Sequence, residues 1–220
     1  MGATPIGVLA RTGLLDVPRT IVAHGIGIVP EDLPALSAAH DRVGVASAPK
    51  GYLKQGPDST PVRLLRAAGV PVGLATDGAA SNNTLDVWES MSYLALVHKA
   101  IERDQTFLTA REALRHATTE SAEVVGLAGT VGRIASGYQA DLLLVDLRAP
   151  RLQPVHDLAS ALVYSGRSDD IETTIVAGRI LMRDRRLLTV DVDAIVDELA
   201  PRLARLTDRS HGTSIQNYDA

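Results

Sequence analysis

The chain has 220 residues, of which 45% are apolar and 3% aromatic, and its net charge is -4. This length allows one large domain, or one domain with a smaller one, around a core of Leu, Val, Ile and Ala. Charges of both signs are interspersed, which argues against nucleic-acid binding. Cysteine is absent, which excludes disulfides, and no apolar run reaches the roughly 18 residues that span a membrane. We therefore expect a cytoplasmic globular protein with no nucleic-acid or membrane partner.

The first 125 or so residues alternate between short β-branched runs and helix-like segments. The β-branched runs predict strands at residues 20–23, 43–47 and 70–76. The helix-like segments predict helices at residues 30–40, 59–68, 84–103 and 109–125. This alternation is typical of parallel strands joined by right-handed crossovers. A closed barrel needs eight strands, so the pattern alone is compatible with either an open sheet or the last part of a barrel.

The pattern changes at a turn-rich stretch, residues 126–132. A strand is predicted at residues 141–147, and Ala177-Gly178 separates two β-branched runs as the turn of a hairpin. Residues 127–189 are therefore predicted to form a small β-rich module. A last helix is predicted at residues 192–206, and Pro201 is expected to kink it or to end its first half.

Two side chains that can do chemistry follow directly after predicted strands. His24 follows the first strand and Asp77 follows the third. Functional groups gather at the carboxyl ends of parallel strands, so this imidazole and carboxylate are predicted to converge. Together they suit a divalent metal or a general acid-base pair. Single histidines after strands are more often hydrogen-bonded turn residues, however, and Asp77 is also compatible with a helix cap.

The loop after the third strand strengthens the functional interpretation of Asp77. Residues 76–83 are eight small or polar residues, which is more than a simple turn requires. Small residues allow a ligand to approach the backbone, and Ser81 and Asn82 are predicted to anchor the loop.

An open sheet that binds a small ligand is a further hypothesis. It has little support, since no glycine-rich phosphate loop is present.

Several segments, in chain order, resemble one enzyme family. They include RTIVAHG (19–25), GLATDGAASNN (73–83), REALRHATTESAEVVGL (111–127) and GRIASGYQADLLLVDL (132–147). These segments are similar to the amidohydrolase superfamily, in the branch of methylthioadenosine/S-adenosylhomocysteine deaminases, guanine deaminases and triazine chlorohydrolases. The resemblance extends over residues 4–206. It implies an α/β fold, the C-terminal part of a TIM-type (β/α)8 barrel with about three βα units, plus part of a small β-sandwich domain.

The resemblance also divides the chain and implies a reaction. Residues 1–126 would belong to the barrel, 127–189 to the sandwich, and 190–220 to a C-terminal helix and tail that pack back on the barrel. The implied activity is hydrolysis of non-peptide carbon-nitrogen bonds. Deamination of a purine-like or other small N-heterocycle, by water activated on one divalent metal such as zinc, is the leading expectation. Asp77 matches a metal ligand that also takes a proton from the water, and His24 matches a histidine that polarises the substrate.

The departures from the family pattern matter equally. Three expected histidine ligands, among them a His-x-His pair, and the acid-base glutamate are missing from these 220 residues. The chain is therefore expected to be incomplete and inactive alone, as a piece of an active hydrolase. The alternative is a non-catalytic remnant or subunit that pairs with another chain, or with a second copy, to complete the barrel. The family's His-Asn-Pro segment is also altered, and Lys50, Tyr52 and Lys54 beside it are expected to be solvated loop residues rather than the lining of a different pocket.

Overall fold

The structure is a computed structural model that describes residues 2–56, 58–206 and 208. Within these residues the strands form two sheets, a parallel one of β1 to β3 and an antiparallel one of β4 to β7. The strands are β1 (Thr20–Ala23), β2 (Val43–Ser47), β3 (Val72–Leu74), β4 (Leu142–Val145), β5 (Ile171–Val176), β6 (Arg179–Arg183) and β7 (Arg186–Leu187). The α-helices are α1 (Pro5–Arg11), α2 (Leu33–Ala38), α3 (Pro49–Gln55), α4 (Val62–Ala67), α5 (Ala79–Asn82), α6 (Val87–Glu102), α7 (Ala110–Arg115), α8 (Ser121–Val124), α9 (Leu158–Ser160) and α10 (Val192–Leu206).

The parallel sheet has the order β1-β2-β3, as the alternating pattern predicts. Ala23 is in register with Ala46, and Ser47 with Leu74, so the three strands end at one edge. Strand β3 is shorter than predicted. It begins after Pro71, which has no amide hydrogen to donate but accepts a hydrogen bond from Val45 through its carbonyl oxygen (2.9 Å).

The two faces of this sheet are packed in different ways. On one face, Val43, Val45 and Val72 are fully buried in a core with Leu36, Leu65 and Leu94 from the helices. On the other face, the backbone of α8 comes close to two glycines of the sheet. A Cβ added to Gly44 would lie 2.9 Å from Val124 Cα, and one added to Gly73 would lie 3.0 Å from Ser121 Cα. Glycine is required there because the helix backbone lies directly against the sheet.

Helix α3 corrects an expectation from the sequence. The segment around Lys50, Tyr52 and Lys54 was expected to be a solvated loop, but it is helical from Pro49 to Gln55. Proline suits the first turn of a helix, where its missing amide hydrogen has no partner to lose. The helix ends at Gly56, whose φ of 82° is the left-handed conformation that glycine adopts readily.

The β-rich module forms the antiparallel sheet β4-β5-β6-β7. Its hairpin is confirmed. Ala177 and Gly178 connect β5 to β6 with φ values of 47° and 78°, as a two-residue turn of this type requires. The helix predicted for residues 109–125 is also present, although its middle segment, His116–Glu120, is a π-helix.

Helix α10 continues through Pro201, so the proline does not end it. None of its residues is buried, and the apolar Ile195, Val196 and Leu199 are about half exposed. For residues 192–206 the structure therefore does not show the expected packing against the first 126 residues. Residues 207 and 209–220 lie outside the described part of the chain. Over the described residues, no helix combines the length and apolar character that a membrane span requires.

Candidate active site

The structure brings the two predicted site residues to the same edge of the parallel sheet. His24 follows β1 and donates its backbone N–H to Ala46 O of β2 (2.9 Å). Asp77 comes three residues after β3. Both residues have left-handed backbone conformations, with φ of 66° and 63°. Such conformations cost about 1–3 kcal/mol in residues other than glycine and are concentrated at functional sites.

Asp77 is an exposed carboxylate that is held in its ionised form. Its Oδ2 accepts a hydrogen bond from Ser81 Oγ (2.7 Å), and its Oδ1 accepts one from the Gly78 N–H (2.6 Å). These two hydrogen bonds lower the pKa of Asp77, and the electrostatic effect of the nearby His24 imidazole is smaller and acts in the same direction. The imidazole and the carboxylate therefore interact electrostatically across the edge of the sheet.

The loop that carries Asp77 is anchored as predicted. Asn82 is fully buried, and its side-chain amide donates to Thr76 O (2.5 Å). Ser81 binds the Asp77 carboxylate directly. Together these contacts hold the backbone on both sides of Asp77, so the carboxylate has a defined position at the sheet edge.

A second support comes from α3 and was not predicted. Lys54 donates to Ser81 O (2.8 Å) and to Asn83 Oδ1 (2.5 Å), which ties α3 to the Asp77 loop. One turn earlier, Lys50 forms an ion pair with Glu89 (2.5 Å) at the start of α6. Lys50 and Lys54 thus connect α3 to α6 and to the Asp77 loop. Lys54 is exposed, as expected, but both lysines lie on a helix and not in a loop.

Beneath His24 lies a buried polar network that the sequence did not reveal. Tyr52 is 5% exposed, and its hydroxyl lies 3.4 Å from His24 Nδ1. The fully buried Thr60 donates to His24 O (2.6 Å) and lies 2.9 Å from Ser47 Oγ. No local pattern predicts these contacts, because the participating residues are separated by 13 to 36 positions along the chain.

The described residues supply part of a metal site at most. Asp77 fits as one ligand, because its carboxylate is ionised and exposed at the edge where the strands end. Within residues 2–56, 58–206 and 208, however, no group of three or more His, Cys, Asp or Glu side chains is placed to hold an ion. Zinc sites use three or four protein ligands, so Asp77 alone would not retain zinc.

Comparison with known proteins identifies the family. Residues 2–181 match the sequence profile of the amidohydrolase family. The chain belongs to the amidohydrolase family. This confirms the resemblance found in the sequence and, with it, a mixed α/β fold of amidohydrolase type.

The similar proteins include deaminases and a chlorohydrolase. The 5-methylthioadenosine/S-adenosylhomocysteine deaminase of Dictyoglomus thermophilum is 44% identical over 209 residues, which are 95% of this chain and 48% of the relative. The crystal structure of an adenosine deaminase from Xanthomonas campestris with bound zinc superposes with a TM-score of 0.83 at 31% identity, covering 90% of this chain and 45% of that one.

A mutant atrazine chlorohydrolase from Arthrobacter aurescens, complexed with zinc and atraton, superposes with a TM-score of 0.82 at 30% identity. The superposition covers 91% of this amidohydrolase chain and 44% of the chlorohydrolase chain. Zinc in both solved structures supports a divalent metal as a property of the family. This amidohydrolase chain spans about half the length of the curated relatives it matches.

Proposed function

We propose that these residues are the C-terminal part of a metal-dependent hydrolase that deaminates a purine-like or other small N-heterocycle. In this proposal β1 to β3 are about three βα units of an eight-stranded barrel, and residues 127–189 are part of its β-sandwich. The observation that carries the proposal is the ionised, exposed Asp77 beside His24 at one edge of the parallel sheet. Family membership and the names of the similar proteins support it.

Asp77 would hold the metal and accept a proton. A carboxylate has about four acceptor positions, and the hydrogen bonds from Ser81 and Gly78 occupy two of them. The remaining positions are available to a cation and to a proton. A bound divalent cation supplies water with a lowered pKa. Because the hydrogen bonds keep Asp77 ionised, its carboxylate can bind the cation and act as the base.

His24 would act on the substrate. An imidazole N–H directed at a ring nitrogen withdraws electron density from the neighbouring carbon and favours attack by water at that carbon. Oxygen from water forms a bond to the ring carbon, and the bond from that carbon to the amino nitrogen breaks. One of the two water protons is transferred to the amino nitrogen, which leaves as ammonia, and the other stays on the product. His24 would not be a metal ligand in this scheme. The main consequence of its loss would be a slower chemical step.

The proposal is tested with the complete protein that contains this sequence. Ammonia release from adenosine-type and other amino-substituted heterocycles is measured with and without a chelator, and we expect activity that a divalent cation restores. His24→Ala should lower kcat while metal content, measured by elemental analysis, stays constant. Metal loss in this variant would mean that His24 is a ligand instead. The isolated 220-residue chain is expected to bind no stoichiometric zinc and to release no ammonia.

A second candidate function is that of a non-catalytic subunit that completes its barrel with another chain or with a second copy. In the described part of the chain, β1 and β3 each pair with β2 alone, which leaves the outer edge of both strands open. Ile21 in β1 is also 48% exposed. Open edges favour pairing with further strands. Size-exclusion chromatography tests this candidate, and a monodisperse monomer would count against it.

We also propose a cytoplasmic location. The cysteine-free composition supports it, since a reducing compartment offers no use for disulfides.

A further inference from the structure

The polar network beneath His24 has an order that follows from its distances. Thr60 Oγ1 lies 2.6 Å from His24 O, and a carbonyl oxygen can only accept, so the threonine hydroxyl donates to it. Ser47 Oγ, 2.9 Å from Thr60 Oγ1, is then left to donate to Thr60. The backbone N–H of Ala48 donates to the Tyr52 hydroxyl oxygen (2.8 Å). Each of these three oxygens on Thr60, His24 and Tyr52 therefore accepts a short hydrogen bond.

The proton of the Tyr52 hydroxyl remains to be placed. Its neighbours are His24 Nδ1 and His24 O, both at 3.4 Å, and Thr60 Oγ1 at 3.3 Å. The two oxygens already accept shorter hydrogen bonds. Among the described residues, the hydrogen bond that Nδ1 makes is the one with Tyr52. The tyrosine ring also meets the imidazole edge to face, with centroids 5.8 Å apart and planes at 70°, so packing fixes both rings.

We infer that Tyr52 is a positioning residue that donates to His24 Nδ1 and keeps the neutral imidazole in the tautomer with its proton on Nε2. The inference deepens the proposed function and rests on it for its catalytic meaning. An imidazole that accepts at Nδ1 presents an N–H at Nε2, and this is the form that donates to a ring nitrogen or a leaving amino group. The opposite tautomer would present a lone pair at Nε2 and could not polarise the substrate by donation.

The position of Tyr52 explains why a buried phenol is placed here. Helix α3 begins directly after β2, and its first turns place Tyr52 between the ends of β1 and β2. The hydroxyl contacts the backbone of residue 48 and both the side chain and the backbone of residue 24. A buried polar group in this position restricts the histidine more than an exposed one would, since water does not compete for the hydrogen bond.

The tautomer is measured directly by 15N NMR of the full 220-residue chain labelled at histidine. The spectrum is recorded about 1.5 pH units above the ordinary imidazole pKa of about 6.5, so that neutral rings dominate. His24→Asn assigns the His24 signals by difference. We expect an acceptor-type Nδ1 and a protonated Nε2 in the unsubstituted protein. A protonated Nδ1 would overturn the inference without any substitution at position 52, so the test does not depend on a variant that folds.

Tyr52→Phe then removes the hydroxyl and retains the ring. We expect the His24 signals to move toward a mixture of the two tautomers, and an unchanged Nε2–H tautomer would refute the positioning role. Tyr164→Phe removes a hydroxyl from an exposed tyrosine in the β-rich module and should leave the His24 signals unchanged.

In the complete protein, Tyr52→Phe should lower kcat about tenfold, with KM within about twofold and metal content unchanged. If the complete protein releases no ammonia from any heterocycle, the proposed function fails, whereas the tautomer measurement still decides the role of Tyr52. If kcat is unchanged while the tautomer shifts, Tyr52 positions His24 but the tautomer does not control the reaction.

Discussion

One buried histidine, His98, is expected to make the stability of this chain fall as the pH drops below about 6.5. His98 lies on α6 and is 1% exposed. Its Nδ1 is buried without a hydrogen-bond partner in the described structure, and its Nε2 lies 3.4 Å from Ser59 Oγ. Burial lowers the pKa of His98 from 6.5 to about 4, although the nearby Glu102 opposes the shift. The folded protein therefore keeps this imidazole neutral where an unfolded chain protonates it.

The sign and size of the effect follow from this difference. Between pH 6.5 and about 4 the unfolded chain binds a proton at this position and the folded chain does not, so the free energy of unfolding falls as the pH falls. The slope approaches about 1.4 kcal/mol per pH unit. Lowering the pH from about 6.5 to about 5 should therefore cost about 1.5 kcal/mol, because the slope is about half its limit at pH 6.5, and this corresponds to about 3–6 °C in Tm for a chain of this size. Below about pH 4 the loss levels off, because the folded form is then protonated as well.

Thermal or urea unfolding at half-unit pH steps measures this slope in the wild type and in His98→Leu. We expect the wild type to lose stability more steeply than the variant between about pH 6.5 and 5. His156→Leu is the control: it removes an exposed imidazole, and its effect on the slope is subtracted from that of His98→Leu. Parallel slopes for the wild type and His98→Leu would refute the assignment of a depressed pKa to His98.

Three further predictions concern packing, the Asp77 loop and a helix cap. In urea titrations, Gly44→Ala should lower the unfolding free energy by about 1–3 kcal/mol, because the added Cβ would lie 2.9 Å from Val124 Cα. Gly51→Ala is the control: a Cβ at this position in α3 would have no atom within 4 Å, so the unfolding free energy should rise by about 0.5–1 kcal/mol. Lys54→Met should speed amide hydrogen exchange of residues 78–83 about three- to tenfold, and unchanged exchange would mean that the lysine does not hold the loop. Partial burial opposes ionisation of Glu112, but hydrogen bonds from Arg66 and Thr109 outweigh it and lower the pKa of Glu112 to about 2. Glu112→Gln should therefore lower the unfolding free energy by about 0.5–1 kcal/mol above pH 4.5. This difference between wild type and variant should disappear as the pH is lowered through about 2. A constant difference across this acid range would contradict the last prediction.

The sequence predicted the parts of the site that depend on local pattern. His24 and Asp77 were found because each follows a β-branched run, and parallel strands bring their carboxyl ends to one edge. Ser81 and Asn82 were predicted as loop anchors because a loop of small polar residues needs internal hydrogen bonds, and both make them. The hairpin at Ala177 was predicted for a similar local reason.

The parts that were missed depend on contacts between distant residues. Gly51 lowers the helix propensity of this short segment, and the contacts that tie α3 to the rest of the protein, such as Lys54 with Ser81 O, lie 27 or more residues away along the chain. The network of Tyr52 and Thr60 depends on how helix α3 and the segment before α4 meet at the sheet edge, which single-residue preferences do not encode. The exposure of the apolar residues of α10 likewise depends on tertiary packing, whereas the helix itself was predicted correctly at residues 192–206.

The role of Asp77 is tested most directly by measuring bound metal and ammonia release together in the complete protein, for the wild type and for Asp77→Asn. Asp104→Asn is the matched control, since Asp104 is also a hydrogen-bonded carboxylate with a lowered pKa but binds Thr106 and Arg63 instead of the site. We expect Asp77→Asn to lose the metal and the turnover together, whereas Asp104→Asn should retain both. A metal content and a rate near those of the wild type in Asp77→Asn would contradict this expectation.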